Sequence, residues 1–217
     1  TYGAGGSTRT ATPKMVKNII NDTELNAAVH LTCVSATKEE VDGVIDDYKS
    51  IGVNHIVALR GDMPDMDSFK PHPDGYSSSV DLVEAIKKNG CFDITVSAYP
   101  EKHPVSHSFE TDINCLKAKI DAGAEQAITP FAFDNAAFSS FRDKLVADGI
   151  NIPLIPGIMP TTNFKGVQSM AEKCGTSIPE WLSAQYIGLE DDFERRQEIA
   201  IKVAVDQCRK LISEGFD

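Results

Sequence analysis

Three consecutive residues, Arg60, Gly61 and Asp62, follow an apolar run at residues 56–59 and carry groups that could do chemistry. An arginine offers a planar fork to a phosphate or ribose oxygen, and a glycine lets the backbone approach a ligand closely. An aspartate beside a heterocycle can accept a ring N–H or tune its electron density. The alternative is a strand-end turn in which Arg60 and Asp62 form ion pairs with neighbours. The spacing therefore indicates either a cofactor contact or a surface turn.

Further polar and aromatic side chains occur where other predicted strands end. They are Thr1 and Tyr2; His30, Thr32 and Cys33; Tyr99, Glu101 and His103; and Phe131, Phe133 and Asp134. Rings, histidines and one arginine suit a planar, partly anionic ligand. A lone histidine such as His30, however, is more often a hydrogen-bonded core residue than a catalyst. His103 and His107 are separated by Pro104 in a predicted loop, so no metal site is predicted.

A repeated pattern of helix, glycine, apolar strand and polar tip must position these residues. Thr37 and Glu40 have capping-box spacing at the start of one helix, and Gly52 suits a left-handed stop at its end. Gly90, Gly123 and Gly149 follow the next three helices, each before a strand. We count five complete strands and the tail of one more at Thr1. Three helical segments follow, around residues 163–174, 179–187 and 192–214.

Helices that alternate with apolar strands predict an α/β fold with a parallel sheet. The whole chain, residues 1–217, reads as a single barrel domain, from the tail of the second strand through the last helices. It would be a (β/α)8 TIM barrel that lacks its first and last strands, as in a piece of a longer protein. An open doubly wound sheet is the alternative. Either architecture collects function at the carboxyl ends of the strands.

The composition excludes several classes of function. The 217 residues carry a formal net charge of -11, which argues against non-specific nucleic-acid binding and against a basic membrane-binding patch. No apolar run approaches the ~20 residues of a membrane span, and no signal peptide opens the chain. The five cysteines form no Cys-x-x-Cys pair, which is typical of reduced thiols in a cytoplasmic protein.

Several tip motifs occur together in one order: "TYGAGGSTR", "HLTC", "HIVALRGDMP", "SAYPEKHP", "DAGA" and "IPGIMPTTNFK". In this order the set resembles methylenetetrahydrofolate reductases of the bacterial type, from Thr1 to about Leu189. The resemblance implies a (β/α)8 barrel that binds FAD at its carboxyl-end face. It also implies reduction of the flavin by NADH or NADPH, followed by reduction of methylenetetrahydrofolate to methyltetrahydrofolate. Because bacterial members of this family are often oligomeric, it allows for a homo-oligomer.

The resemblance assigns roles to particular residues. Asp62 matches an aspartate close to both flavin and folate, and is the predicted catalytic residue. Thr1 matches a position near the nicotinamide. The residues that match FAD contacts are Tyr2, Ala4, His30, Arg60, Gly61, Asp62, Ser77, Tyr99, His103, Asp112 and Lys119. Without the resemblance, Lys119 would be read as part of a solvated helix face, and Asp112 as a side-chain acceptor in a first helical turn.

The chain departs from the family pattern at several positions. Pro130 and Gly166 stand where the family has substrate-contacting glutamines, and Cys115 and Ala118 where it has FAD-contacting asparagine and arginine. The family's first strand, with its proton-donating glutamate, and its last strand, with a folate-contacting arginine, have no counterpart in this sequence. The alternative function is therefore a reductase-like barrel that binds flavin or folate without turnover. An unrelated phosphate-handling enzyme, such as an aldolase, would need a lysine at a strand end, and none is predicted.

Overall fold

A computed structural model describes residues 11–61 and 70–216. The helices within these ranges are α1 (Ala11–Asp22), α2 (Lys38–Ser50), α3 (Ser79–Asn89), α4 (Phe109–Asp121), α5 (Asn135–Ala147), α6 (Phe164–Cys174), α7 (Glu180–Ala184) and α8 (Phe193–Ser213). The strands are β1 (Ala28–Thr32), β2 (His55–Leu59), β3 (Asp93–Ser97), β4 (Gln126–Phe131) and β5 (Leu154–Gly157). The predicted strand tail at Thr1 lies outside the described residues.

The strands form a five-stranded parallel sheet in the order β1-β2-β3-β4-β5. The structure thus confirms the α/β class. A helix separates each strand from the next along the chain, and the strand order does not reverse among the described strands. A doubly wound sheet reverses its order at a switch point, whereas a barrel does not. The arrangement is therefore that of part of a (β/α)8 barrel.

By its internal contacts the chain divides into two compact units, residues 1–97 with 115–126 and residues 98–114 with 127–217. In the first unit, alternate residues of β1, β2 and β3 face a helix layer in which α3 contacts both β2 and α2. These strand residues are buried and apolar: Val29, Leu31, Ile56, Ala58, Ile94 and Val96. The opposite face is more polar, because it carries His30, His55 and Thr95, and His55 Nε2 lies 2.7 Å from Thr95 Oγ1.

The second unit has its own apolar clusters. One joins the end of β4 to the helices that follow β5, and contains Phe131, Phe133, Phe164, Val167, Ala171, Leu182, Tyr186 and Ile199. The side chain of buried Gln207 in α8 donates from Nε2 to the backbone carbonyl of Ala132 at 2.6 Å. The backbone carbonyl of Gln207 accepts a hydrogen bond from Asn135 Nδ2 at 3.3 Å. These bonds tie α8 to the chain that leaves β4.

The local predictions at helix ends are mostly confirmed. Thr37 accepts from the Glu40 N–H at 3.1 Å while Glu40 accepts from the Thr37 N–H at 2.8 Å, so the capping box forms. Gly52 has φ +86°, as a left-handed stop requires. Gly90 differs, because it is extended, and an added Cβ would lie 2.6 Å from Phe92 Cε2. Among the described helices, none combines the length and apolarity needed to cross a bilayer.

Candidate active site

The ends of β1 and β2 are bound to each other in the first unit. Val34 N–H donates to the carbonyl of Arg60 at 3.0 Å. Gly61 has φ +86°, and an added Cβ would lie 2.5 Å from Val34 Cγ1 and 3.0 Å from Thr32 Cβ. Both the backbone conformation and the space exclude a side chain. The close approach of Gly61 to the end of β1 therefore explains why a glycine occupies this position. The same approach fixes the backbone at the half-buried Arg60.

Cys33 fills the junction between these two strand ends and the start of α3. Its Sγ lies 3.6 Å from the carbonyl of Arg60 and 3.7 Å from the carbonyl of Ser78. Burial raises the pKa of the Cys33 thiol to about 11. Since the thiolate is the nucleophilic form, Cys33 is an inert thiol at neutral pH and serves packing.

His30 lies in β1 opposite Val57 of β2, on the more polar face of the sheet. Burial lowers its pKa below the usual value for histidine, because a desolvated imidazolium is disfavoured. The ring is therefore neutral at physiological pH. A neutral imidazole can offer one donor and one acceptor to a cofactor but supplies no positive charge.

Ser77 lies just before α3, where it holds a carboxylate of that helix. The backbone N–H and the hydroxyl of Ser77 both donate to Asp81 Oδ2, and the Ser78 hydroxyl accepts from the Asp81 N–H at 3.2 Å. The hydrogen bond from the Ser77 hydroxyl is the largest cause that lowers the pKa of Asp81. Ser77 thus fixes an anionic helix start beside Cys33 and Ser78.

Lys119 of α4 is buried, with 5% of its surface exposed. Its Nζ donates to the carbonyl of Ser97 at 2.9 Å and approaches the Ser97 hydroxyl at 3.3 Å. The reading of Lys119 as part of a solvated helix face was wrong, because the ammonium satisfies the last residue of β3. The buried ammonium of Lys119 therefore places a positive charge at Ser97, the last residue of β3.

In the second unit, the loop at residues 99–106 is held by one carboxylate and one ammonium. Asp112 accepts from the backbone N–H of His103 at 2.8 Å and from the hydroxyl of Ser106. Lys102 donates to the carbonyls of His103 at 3.2 Å and Ser106 at 2.7 Å. Lys102 itself has φ +72°, a conformation that non-glycine residues adopt only where the surroundings impose it. The loop is therefore preorganised.

This loop presents an aromatic ring and an imidazole together. The rings of Tyr99 and His103 meet edge to face with centroids 4.5 Å apart. His103 Nδ1 accepts a hydrogen bond from the N–H of Val105 at 3.2 Å. A neutral ring in this state carries its proton on Nε2, which makes Nε2 a hydrogen-bond donor. The pair combines an apolar wall with a directed donor.

Pro130 lies inside β4, where a proline cannot donate to the ladder. The pairing of β4 with β5 shifts register between Ile128 and Phe131. Within the shift, Gly157 N–H donates to Thr129 Oγ1 at 3.0 Å, and an added Cβ on Gly157 would lie 2.5 Å from the Thr129 carbonyl. The strand thus accommodates proline through an irregularity and a side-chain acceptor.

The structure groups the predicted residues by unit. The first unit contains His30, Arg60, Gly61, Ser77 and Lys119, and the second contains Tyr99, His103 and Asp112. Thr1, Tyr2, Ala4 and Asp62, including the predicted catalytic residue, lie outside the described residues.

Sequence reasoning missed residues that organise these tips. They are Lys102, which bonds within its own loop, Ser106 and Ser97, which bond to side chains of α4, and Asp81, which bonds to Ser77 just before α3. Only Asp81 gave a local signal, because it stands three residues after the capping Ser78. In the part of the chain that the structure describes, no group of three or more acidic, histidine or cysteine side chains is arranged to hold a metal ion.

Each unit by itself carries residue types that can contact a flavin or a pyrophosphate. Arg60 is a charged fork at a strand end, His103 offers Nε2–H, and Tyr99 offers a ring face or edge. Lys119 donates hydrogen bonds to Ser97, so it stabilises the end of β3.

The chain is similar to known proteins over its whole length. A family model described as methylenetetrahydrofolate reductase matches residues 1–217. The 5,10-methylenetetrahydrofolate reductases of Pectobacterium carotovorum subsp. carotovorum and Escherichia coli (strain K12) are each 43% identical over 215 residues, or 99% of this chain; the match covers 70% and 71% of their lengths. "Methylenetetrahydrofolate reductase (NADH) 1" of Arabidopsis thaliana is 35% identical and is covered over 38% of its length.

A solved structure also resembles the chain. A crystal structure of 2,3-dimethylmalate lyase, a PEP mutase/isocitrate lyase superfamily member, has a TM-score of 0.52 at 14% identity and covers 98% of this chain and 77% of that chain. At this identity the likeness shows the fold alone.

Proposed function

Because the chain belongs to the methylenetetrahydrofolate reductase family, we propose that it reduces methylenetetrahydrofolate to methyltetrahydrofolate with NADH or NADPH. The observation that carries the proposal is the family match over residues 1–217. In the balanced reaction a general acid protonates one nitrogen of the methylene bridge, and that carbon–nitrogen bond breaks to leave a cationic iminium. The hydride given up by the reduced nicotinamide then adds to the iminium carbon, which becomes the methyl group.

We propose FAD as the bound cofactor, which would supply two-electron chemistry between the two substrates in turn. Arg60 and His103 would bind its phosphates or ribose as donors, and Tyr99 would form an apolar wall. Gly61, Ser77, Asp112 and Lys119 would also contact FAD, as the resemblance implies; Gly61 would in addition fix the backbone of Arg60, and Asp112 that of His103. His30 would contribute a neutral hydrogen-bonding ring, because burial lowers its pKa.

Asp62 is the residue that we propose for the reacting face. A carboxylate near the flavin disfavours an anionic reduced ring and favours a cationic folate intermediate, so it would assist transfer to the folate. Asp62→Asn should slow folate reduction more than reduction of the flavin by NADH. Stopped-flow measurement of the two half-reactions checks this, and equal slowing of both contradicts the role.

A second candidate function is a flavin- or folate-binding barrel without turnover. Pro130 favours it, because a proline side chain can neither donate nor accept where the family has a glutamine. Pro130→Gln supplies the amide that the family has at this position and tests its role. If the missing amide limits turnover, kcat/KM for the folate should rise by about tenfold. An unchanged kcat/KM would show that Pro130 is not what limits substrate use.

The experiment that tests the proposed function is flavin retention combined with turnover. The purified chain should be yellow and should oxidise NADH with methylenetetrahydrofolate as acceptor. Arg60→Ala should lower flavin occupancy by about tenfold, because a charged donor is lost, while Arg209→Ala, an exposed arginine on α8, should leave it unchanged. A colourless chain without NADH oxidation would overturn the proposal and favour the second candidate, whereas NADH oxidation with menadione alone would favour a reductase with an altered substrate.

A further inference from the structure

A cavity of about 350 Å³ lies between α6, α7 and the start of α8, within the second unit. Asn163, Phe164, Lys165 and Gln168 line it from the start of α6, and Tyr186, Ile187, Leu189 and Arg196 line much of the rest. Its volume falls in the range of small-molecule sites. None of these residues belongs to the proposed FAD or catalytic set.

Arg196 is the feature that gives this cavity a chemical preference. Its Nε atom is buried and has no hydrogen-bond partner in the described part of the chain. The guanidinium makes one contact of note, over the ring of Phe193 at 5.9 Å from the ring centroid. A buried donor that lacks an acceptor is costly and rare in native proteins, so it calls for a partner.

The place of Arg196 in its helix adds to this cost. Asp192 is the N-cap of α8, so Arg196 lies in the first turns, where its backbone N–H bonds to the Asp192 carbonyl at 3.1 Å. The positive end of a helix dipole disfavours a cation there and favours an anion. Neighbouring Arg195 relieves the same problem by an ion pair with Glu198 at 2.7 Å. Arg196 has no such ion pair among the described residues.

The other walls describe the body of the ligand. Phe164 and Tyr186 stack with centroids 4.3 Å apart and planes 5° from parallel, and the Tyr186 hydroxyl is bound to Thr161 at 2.6 Å. The polar end of Tyr186 is thus already satisfied, which leaves an aromatic and apolar wall with Ile187 and Leu189. Lys165 adds a second, exposed cation. Glu190, also in the lining, is exposed, so water screens its charge more than that of the buried Arg196 Nε.

We propose that this cavity is a binding site for a small organic oxyanion, a carboxylate or phosphate attached to an apolar or aromatic body. Because Nε is enclosed in the present side-chain conformation, Arg196 would rotate to present its fork to the oxyanion, and Lys165 would add charge at the rim. The site goes beyond the proposed reductase function, since its binding requires neither flavin nor folate.

Ligand-observed NMR titration of the whole chain tests the site with 3-phenylpropionate, phenyl phosphate and the neutral 3-phenylpropan-1-ol. Both anions should bind at concentrations up to about 10 mM, and the alcohol should bind about tenfold more weakly or less. Tighter binding of phenyl phosphate would identify a phosphate ligand, and tighter binding of 3-phenylpropionate a carboxylate. Failure of both anions to bind, or equal binding of the alcohol, would overturn the proposal.

Variants separate this site from general attraction of anions. Arg196→Gln should weaken anion binding by about tenfold or more, and Lys165→Gln by about threefold, because its ammonium is exposed. The matched control is Arg195→Gln, the adjacent arginine on the same helix, which should bind as the parent does. Thermal unfolding verifies that each variant folds. Equal weakening by Arg195→Gln and Arg196→Gln, or unchanged binding in folded Lys165→Gln and Arg196→Gln, contradicts the site.

Discussion

The turn after β2 and the loop after β3 are held in place by different forces. At the first, Gly61 packs its Cα against Val34, and the backbone of Arg60 is bound to the same residue. At the second, Asp112 and Lys102 bind the loop through side-chain hydrogen bonds. Both tips carry groups proposed for one cofactor, yet steric fit fixes one and charge fixes the other.

The difference predicts how each tip responds to change. At Gly61 an added Cβ would lie only 2.5 Å from Val34 Cγ1, so there is no room for another atom, and this restriction does not depend on salt or pH. A hydrogen-bonded carboxylate tolerates replacement by another acceptor but not by a methyl group. Substitutions at the first tip therefore test the steric contribution, and substitutions at the second test the contribution of hydrogen bonds and charge.

Gly61→Ala should have the largest effect on stability. The added methyl group meets Val34, and φ +86° is strained for alanine, so we expect a loss of about 3 kcal/mol in the free energy of unfolding. Gly52→Ala is the matched control, because Gly52 has the same φ and an added Cβ has no neighbour within 4 Å; it should lose about 1 kcal/mol. Urea unfolding measures both.

Equal losses in the two glycine variants would show that backbone strain alone matters at Gly61. Val34→Ala combined with Gly61→Ala sharpens the result. If packing against Val34 causes the extra loss, the double variant should be more stable than the sum of the single effects predicts.

Asp112→Ala should have the next largest effect. It leaves the His103 N–H and the Ser106 hydroxyl without their acceptor, at about 2 kcal/mol in the free energy of unfolding, and should lower flavin retention. Asp112→Asn keeps one acceptor oxygen and should lose about half as much. Glu110→Ala removes an exposed acid from the same helical turn and controls for the helix dipole.

The loop after β3 would be shown to depend on packing instead if Asp112→Ala and Glu110→Ala unfolded at the same urea concentration. In that case the Tyr99–His103 ring contact, at 4.5 Å, would be the stronger restraint. Flavin absorbance of the purified variants separates an effect on the cofactor from one on folding.

Ser77→Ala should have the smallest effect and tests whether any charge supports the first tip. Loss of the hydroxyl should raise the pKa of Asp81 towards its usual value, which NMR titration of that carboxyl detects. Because the folded pKa is lowered, the stabilisation is complete above about pH 4 and is lost as pH falls through the folded pKa. The difference from the parent should therefore be below about 1 kcal/mol at neutral pH and vanish in acid. A difference that persists in acid would contradict the role of charge.

Features encoded by a few adjacent residues could be predicted from the sequence. The capping box of Thr37 and Glu40 depends on residues three apart, and the left-handed stop at Gly52 on one residue. The alternation of helices and strands gave the parallel sheet, since each period depends only on local sequence.

Features that depend on distant partners could not be predicted in this way. Lys119 is buried because the carbonyl of Ser97, 22 residues earlier, accepts from it. Gly61 is required by Val34, 27 residues earlier, although the sequence suggested close approach to a ligand. The family resemblance identified many of the candidate site residues but not the contacts that hold them in place, because a sequence motif specifies positions along the chain and not which residues touch.

The buried thiol of Cys33 provides a chemical probe for local opening of the protein. Cys91, Cys115 and Cys208 are exposed and should react quickly with a thiol reagent, whereas the Cys33 sulfur is shielded by the carbonyls of Arg60 and Ser78. The rate at which a reagent modifies this one sulfur reports how often the ends of β1 and β2 separate. A ligand that holds those two strand ends together would slow the modification of Cys33. Its binding could therefore be measured without an activity assay.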